Sequence, residues 1–285
     1  MDMSGALPPG GLKGLRIGVS VAPSADLDRL GLTEARFRAV LGELARSVVT
    51  ADGRLAYGGN LSEDGYTAFL AGQAHLHAPG SRPLLACVPF DEHRSLPLPE
   101  LAGRLERFGR QAEIVCLDAD GSPVDATTGR GEAPEPVTDP GARHRALTGM
   151  RRHLMRRVDA HLFLGGRRGG FQGALPGLVE EALLALEAGL PVYPAAGYGG
   201  VTADIAKALG IDGAPHLPDP SDATPPDPRL LDGLARLRAL ADAAARRNSG
   251  NGLTDEENRR LAGSRDPGEI TALAARGLAR LRQDR

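Results

Sequence analysis

The fold of this chain is predicted most clearly by residues 161–200, HLFLGGRRGGFQGALPGLVEEALLALEAGLPVYPAAGYGG. Two short apolar runs end in glycines, and the helical pattern GLVEEALLALEAG lies between them. Short apolar runs bounded by glycines are typical of buried strands, and a helix of this length between two strands indicates parallel pairing. The stretch therefore predicts a strand–helix–strand unit with glycine-rich turns at the carboxyl ends of its strands.

The same alternation extends through the chain before this unit. Buried-strand patterns occur in LRIGVSVA, RLAYGG, RPLLACVPF and AEIVCLDADG, and helical patterns separate most of them. Thr33 is expected to cap the first helix, with Glu34 in its first turn. We therefore predict an α/β fold, a Rossmann-like doubly wound parallel sheet with a C-terminal helical extension. Right-handed crossovers place the carboxyl ends of all its strands on one edge.

The chain divides into four predicted segments. They are an N-terminal tail at 1–14, the Rossmann-like domain at 15–212, a proline-rich linker at 213–228 and the helical extension at 229–285. The extension carries apolar stripes but no polar constellation, so we expect it to cover the domain and to be dispensable for ligand chemistry. The polar residues 119–140, rich in proline and glycine, are expected to form a mobile loop or lid.

Composition and charge limit the classes of function. The 285 residues carry a net charge of −2, which disfavours a surface for nucleic acid or for anionic membranes. No stretch is long enough to span a membrane and no signal peptide is evident, so a cytoplasmic protein is expected. Cys87 and Cys116 lie in strand patterns as reduced thiols. Because His144, His153 and His161 lack metal-ligand spacing with cysteine, no metal is expected, and no cofactor is predicted.

Ligands of open α/β sheets bind beyond the carboxyl ends of the strands, and four predicted strand ends here carry unusual residues. The richest is the turn from Gly165 to Gly177, because glycine lets the backbone approach a ligand and the following helix offers free N–H groups to a phosphate. An ordinary glycine-rich turn is the alternative for any single loop, but the recurrence favours a ligand site. The predicted ligand-binding residues are Ser20, Gly58, Gly59, Asn60, Gly165, Gly166, Gly173, Pro176, Gly177, Gly197, Gly199 and Gly200.

Three charged residues are candidates for catalysis. Glu180 and Glu181 lie in the first turns of the helix after the glycine-rich turn. They either complement the helix dipole or direct a carboxylate into the cleft, to hold a ribose or to act as an acid or base. Spacing from Leu183 places Glu180 nearer the inward face. Arg151 lies on a basic helix, where it is either solvated or turned toward the cleft as a phosphate clamp.

The sequence resembles the SLOG superfamily over most of its length. The resemblance is carried by RRHLMRRVDAHLFLGG, PGLVEEALLALEAGLPVYPAAGYGG, YGGNLSEDGYTAFL and NGLTDEENRRLAGSRDP. This superfamily unites LOG-type phosphoribohydrolases, Smf/DprA proteins and the ligand-sensing domains of melastatin-type TRP channels. The chain is most similar to the prokaryotic branch that is related to the channel domains.

LOG-type enzymes carry the signature Pro-Gly-Gly-x-Gly-Thr-x-Glu-Glu and an upstream arginine, and they cleave the N-glycosidic bond of nucleoside monophosphates. The resemblance matches the glutamates to Glu180 and Glu181 and, approximately, the arginine to Arg151. The glycines correspond to Gly165-Gly166 and Pro176-Gly177 with an insertion between them, and the threonine is replaced. These departures bear on hydrolysis more than on nucleotide binding.

Two functions follow from the resemblance. The first is a sensor-type domain that binds a nucleotide-derived ligand such as ADP-ribose or an NAD-derived molecule. The alternative is a LOG-like phosphoribohydrolase, a nucleotide N-glycosidase. The expected partner is a small nucleotide-type molecule, and the macromolecular partner is either a second copy of the chain or a separate effector protein. Neither nucleic acid nor a membrane is an expected partner.

Overall fold

A computed structural model describes residues 10–216, 226–246 and 250–283 of the chain. Parts of the predicted tail and linker, residues 1–9 and 217–225, lie outside the described residues. The strands are β1 (Arg16–Ala22), β2 (Arg54–Gly58), β3 (Leu84–Val88), β4 (Ala112–Cys116), β5 (Ala160–Gly165) and β6 (Val192–Ala195). The helices are α1 (Glu34–Thr50), α2 (Tyr66–His77), α3 (Phe90–Arg94), α4 (Leu98–Gly109), α5 (Pro140–Met155), α6 (Gly177–Glu187), α7 (Val201–Ala208), α8 (Pro228–Arg246), α9 (Asp255–Gly263) and α10 (Pro267–Gln283).

The six strands of the described residues form one parallel sheet in the order β4-β3-β2-β1-β5-β6. From β1 the chain moves outward through β2 and β3 to β4, and α5 then returns it to the opposite side of β1, where β5 pairs. The direction of winding therefore reverses between β1 and β5. Doubly wound sheets open a cleft at such a switch point, beyond the carboxyl ends of the strands. The predicted Rossmann-like parallel sheet is confirmed.

Strands β1, β3 and β5 are buried along almost their whole length, which explains their continuous apolar sequences. The pairing of β1 with β5 sets Gly18 beside His161 and Ser20 beside Phe163. Phe163 belongs to the apolar cluster that α5, α6 and α8 cover, whereas Val19 belongs to the cluster of α1 and α10. The register therefore places two polar residues, Ser20 and His161, under α5 and α6.

Local capping explains where three helices begin. Thr33 accepts a hydrogen bond from the backbone N–H of Arg36 at 3.2 Å, which confirms the predicted cap of α1. Asp139 caps α5 in the same way, and Thr254 forms a capping box with Glu257 at the start of α9. Each cap satisfies backbone donors that have no partner inside the helix.

The C-terminal helices pack on the sheet from both sides. Helix α10 lies against α1 and buries Ile270, Leu273 and Leu278 in the same apolar cluster as β1 and β5. Helix α8 lies against α6 and buries Leu230 and Leu237 on the other side. The expected cover over the domain is present, while the division of the chain at the predicted linker stays a prediction.

Residues 119–140, expected to be a mobile lid, are held by specific contacts. The guanidinium of Arg130 donates to the carbonyl oxygens of His93 and Leu96, at 2.8 and 2.6 Å. Gly121 approaches the backbone of α5 so closely that a Cβ would clash with it. The carbonyls that accept from Arg130 belong to a segment more than 30 residues earlier in the chain. Composition does not reveal such contacts, so it indicates a free loop.

Three further findings concern the cysteines, membrane spans and metal ligands. Cys87 and Cys116 are buried in β3 and β4 without a disulfide, and burial raises the pKa of Cys87 to about 12 and of Cys116 to about 11. None of the helices that the structure describes combines the length and hydropathy of a membrane span. Across the same ranges, no group of three or more His, Cys, Asp or Glu side chains is placed to hold a metal ion.

Candidate functional site

The candidate site lies where the winding reverses, at β1 and β5 beneath the start of α6. Glu180 and Glu181 lie near the start of α6, Arg151 on α5 and Ser20 on β1. Each of these four side chains is buried. The structure therefore brings the three predicted catalytic residues and Ser20 into one cluster.

Glu181 is the glutamate that reaches the sheet. The Ser20 hydroxyl donates to Glu181 Oε2, and Ser20 Oγ lies 2.7 Å from Nε2 of His161 on β5. The same Nε2 lies 3.5 Å from Glu181 Oε2. The expectation that Glu180 is nearer the inward face is wrong in this respect, because Glu180 turns toward α5 and Glu181 toward β1.

The contacts around Ser20 indicate that Nε2 of His161 carries a proton. Ser20 has a single hydroxyl proton, which it donates to Glu181, so Nε2 of His161 donates to Ser20 Oγ. His161 Nδ1 is buried and has no hydrogen-bond partner among the described residues. Gly18 provides the space for the ring, since a Cβ there would clash with it.

Arg151 joins the two glutamates. Its Nη1 donates to Glu180 Oε2, and its Nε lies 3.4 Å from Glu181 Oε1. Thr148, one turn earlier on α5, donates to Glu180 Oε1. Both carboxylates and the guanidinium are nine-tenths buried, so the cluster is a charge-assisted network with little contact to water.

Two of the predicted glycines make room for this arginine. A Cβ at Gly173 would lie 3.1 Å from Arg151 Nη1, and one at Gly177 would lie 2.8 Å from Nη2. Pro176 is the N-cap of α6, one position before the first helical turn in which it was expected. The guanidinium therefore lies directly beside the start of α6.

Glu181 is held as a carboxylate. Burial would raise its pKa, but the neighbouring His161, the charge of Arg151 and the hydrogen bond from Ser20 lower it below the usual 4.5. A depressed folded-state pKa means that ionised Glu181 stabilises the fold above the unfolded-state value. This contribution is lost as the pH falls through the folded-state pKa.

Asp91 is a further carboxylate at this edge and was not predicted from the sequence. It lies in α3, three residues after β3 ends. Burial raises its pKa, against the opposing charges of Arg143 and Arg151. Its Oδ1 is buried with no hydrogen-bond partner in the described ranges. Its place directly after the strand pattern LLACVPF is the signal that could have identified it.

The predicted glycines at the end of β5 and after β6 lie in two turns that pack against each other. Gly165, Gly166, Gly199 and Gly200 have φ between +64° and +95°, where side chains are strongly disfavoured. A Cβ at Gly200 would lie 2.6 Å from backbone atoms of Gly165 and Gly166. These glycines let the two turns pack backbone to backbone, and a ligand contact at either turn stays a prediction.

The remaining predicted residues are placed by other contacts. Gly58 ends β2, where a Cβ would clash with Met150 of α5, and Gly59 and the exposed Asn60 follow it. Gly197 packs against backbone just after α9. Within the described chain, no hydrogen bond or ion pair joins these four predicted residues to the two glutamates.

A second polar cluster holds the glycine-rich loop, which we define as residues 166–176. Arg168 donates to Asp204 Oδ2 at 2.6 Å, to Asp26 Oδ2 at 2.7 Å and to the carbonyl of Gly200 at 2.9 Å. The N–H of Gly200 donates to the same oxygen of Asp26 at 2.8 Å. The cluster ties the loop to the turn after β1 and to α7. It was not predicted, because its members are far apart in sequence.

Gly200→Ala is expected to destabilise the fold by about 3 kcal/mol, because the substitution combines a glycine-only conformation with a clash against two backbone segments. Urea denaturation measures the loss. Gly210→Ala is the matched control, since Gly210 also has a positive φ but has no atom within 4 Å of a Cβ. Its expected loss is about 1 kcal/mol. Equal losses at both positions would show that the crossing of the two turns is not tightly packed.

The parallel sheet, with its buried arginine and glutamates at the switch point, defines a Rossmann-like α/β protein with a candidate site at the start of α6. Residues 11–222 match the SLOG cluster2 family. The match covers more than half of the chain, so the chain belongs to this family. The match also confirms the resemblance to the SLOG superfamily. A search of curated proteins finds no match to the chain.

Proposed function

We propose that this chain binds a nucleotide-derived ligand, such as ADP-ribose or an NAD-derived molecule, as a sensor-type SLOG domain. The observation that carries this proposal is that both glutamates already have hydrogen-bond and ion-pair partners within the protein. Glu181 is bound to Ser20 and to Arg151, and Glu180 to Thr148 and to Arg151. A general acid or base must exchange a proton with the substrate. Carboxylates fixed in this way favour binding over catalysis.

The ligand's phosphate is assigned to the glycine-rich loop and the start of α6. The first N–H groups of a helix have no partner within it, and the helix dipole favours an anion there. Arg151 adds a positive charge beside Gly177, the first residue of α6. Gly169 and Gly170 are exposed, with no atom within 4 Å of a Cβ, so their backbone is open to a ligand.

A LOG-like phosphoribohydrolase is the second candidate, and one observation favours it. The glutamates and the arginine that match the LOG signature contact one another directly. A carboxylate beside the ribose would stabilise an oxocarbenium-like transition state. Glu180 is the better candidate for that role, because Glu181 is bound to the sheet through Ser20.

One experiment tests both functions. The purified protein is incubated with AMP, NAD and ADP-ribose, and its thermal shift is recorded beside chromatography of the products. A shift without products supports the sensor, and release of a free base supports the hydrolase. Absence of both a shift and a product with all three compounds contradicts both functions.

Glu180→Gln is expected to separate the two functions. In a sensor, loss of a charged hydrogen bond to the ligand weakens binding by about 1–2 kcal/mol, or about 5- to 30-fold in Kd. In a hydrolase, affinity changes little and turnover falls by roughly 100-fold. Calorimetric titration with AMP and ADP-ribose, beside a turnover assay, measures both quantities.

Glu187→Gln is the matched control for this substitution. Glu187 is exposed at the end of the same helix, so its replacement is expected to change neither affinity nor turnover. Melting curves of both variants identify any loss of fold, since Glu180 also pairs with Arg151. Wild-type affinity and turnover in Glu180→Gln would remove Glu180 from the site.

A further inference from the structure

The first turn of α8 lies across the glycine-rich loop. The guanidinium carbon of Arg229 lies 4.2 Å from the centroid of the Phe171 ring, and its Nη1 lies 3.4 Å from the carbonyl oxygen of Gly173. Asp227 orients this guanidinium with hydrogen bonds of 3.1 and 2.8 Å from Nε and Nη2. One arginine therefore contacts both an aromatic ring and a backbone carbonyl of the loop.

Gly173 also lies beside the buried ion pair of Arg151 and Glu180. A Cβ at Gly173 would lie 3.1 Å from Arg151 Nη1 and 3.6 Å from Glu180 Oε2. Gly173 therefore lies between the carbonyl contact with α8 and the charged cluster. A shift of the loop at Gly173 would change what covers Arg151 and Glu180.

The body of α8 fixes the position from which Arg229 acts. A Cβ at Gly233 would lie 2.8 Å from Val179 Cγ1 on α6, so the two helices approach closely at this point. Leu230, in the turn that carries Arg229, is buried in the same apolar cluster as Leu175 of the loop. Arg229 is thus attached to a helix that is packed firmly against α6.

We propose that Arg229 is a positioning residue that holds the glycine-rich loop over the Arg151–Glu180 pair, through Phe171 and Gly173. Its effect on ligand affinity rests on the proposed function, whereas its effect on the loop does not. Helix α8 lies beyond the residues that match the family, 11–222, and it was expected to be dispensable for ligand chemistry. The contacts of Arg229 argue against that expectation.

The glycine-rich loop needs such an anchor for a physical reason. Glycines lose more conformational freedom on ordering than other residues, and Gly169 and Gly170 have no neighbours within reach of a Cβ. Arg168 anchors the part of the loop before these glycines, through Asp26 and Asp204. Arg229 anchors the part after them. Loss of Arg229 is therefore expected to loosen residues 170–174, which lie between Arg168 and the buried Leu175.

Hydrogen exchange tests the anchor without any ligand. In Arg229→Ala, amides of residues 170–174 are expected to exchange about tenfold faster, because a cation–π contact and a hydrogen bond are lost. Arg236→Ala is the matched control, since Arg236 is half exposed on the same helix and pairs with Asp232 at 3.9 Å. Exchange in the central sheet is expected to stay unchanged in both variants.

A single tryptophan offers a second measurement, because the chain contains none. Phe171→Trp keeps an aromatic ring under Arg229 and places the only indole on the loop. Its fluorescence is expected to be quenched more strongly by acrylamide when Arg229→Ala is added, and not when Arg236→Ala is added. Titration of Arg229→Ala with AMP and with ADP-ribose then measures the effect on the site, with an expected loss of affinity of about tenfold at an unchanged melting temperature.

Each outcome bears on a different statement. Equal loop exchange in Arg229→Ala and Arg236→Ala overturns the proposal, and so does uniformly faster exchange with a lower melting temperature, which would show a general loss of stability. Faster loop exchange with unchanged affinity overturns the link to the ligand and keeps the anchor. If wild-type protein binds none of AMP, NAD and ADP-ribose, the proposed function fails, while the exchange data still decide whether Arg229 holds the loop.

Discussion

A chain that ends at residue 228 is expected to lose its cooperative fold and to aggregate. Truncation removes five large apolar side chains that are buried in α8 and α10, Leu230, Leu237, Ile270, Leu273 and Leu278. At about 1.5–3 kcal/mol for each, their burial contributes on the order of 10 kcal/mol, which is comparable with the whole net stability of a domain. The remaining chain would expose the apolar faces of α1 and α6.

The truncation also removes acceptors of buried hydroxyl groups. Tyr193 donates to the carbonyl of Asn251 at 2.8 Å, and Tyr198 donates to that of Arg265 at 2.6 Å. Both rings are fully buried, so the loss of these acceptors adds to the loss of apolar contacts. Size-exclusion chromatography and binding of a hydrophobic dye measure the result, with a chain ending at residue 283 as the control. A monomeric truncated protein with a cooperative melting transition would contradict this expectation.

The positions of the strands in the sequence could be predicted, because each strand is a short apolar run between turn residues. The starts of helices could be predicted for a similar reason, since Thr33 caps α1 through a hydrogen bond to a residue only three positions away. The order of the strands was not accessible, because β1 pairs with β5 across about 140 residues and no local pattern specifies that pairing. Local signals therefore define the elements, and long-range packing defines the switch point.

The candidate site likewise combines residues that the sequence could place with contacts that it could not. Glu180 and Glu181 could be placed at a helix start from the sequence, but their partners could not. His161 contacts Ser20 because the register of β1 with β5 brings Gly18 opposite His161, and nothing in the run HLFLGG indicates that neighbour. The glycine pairs at the predicted strand ends indicate space for a ligand. At Gly200 the space is already filled by the backbone of the neighbouring turn.

A buried cluster of one arginine and two glutamates is expected to contribute little net free energy to the stability of a fold. The cost of removing charges from water often exceeds their attraction, and apolar residues of similar size commonly stabilise as well or better. The cluster nevertheless lies at the switch point of the sheet, where a doubly wound fold binds its ligands. Its position supports a functional role for Arg151 and the two glutamates more strongly than a structural one.

Arg151→Met is expected to lower the free energy of unfolding by about 3–5 kcal/mol at neutral pH, because it leaves two buried carboxylates without their cation. The loss is expected to depend on pH. In the wild type the pKa of Glu181 is lowered, so its ionised form stabilises the fold at neutral pH. Without Arg151, burial is expected to raise this pKa, and the destabilisation then grows as the pH rises through it. Urea denaturation at pH 5 and pH 8 measures the difference.

Two further variants complete the test of this cluster. Arg152→Met is the control, since Arg152 is exposed at the next position of α5 and its loss is expected to change stability by less than about 0.5 kcal/mol. The triple variant Arg151→Met, Glu180→Gln, Glu181→Gln removes the charges together. It is expected to recover much of the stability that the single variant loses, because no buried charge is left unpaired. A small loss in Arg151→Met, independent of pH and equal to that of Arg152→Met, would mean that the carboxylates do not need this cation. The charged cluster would then not be the feature that holds α5, α6 and β1 together at the site.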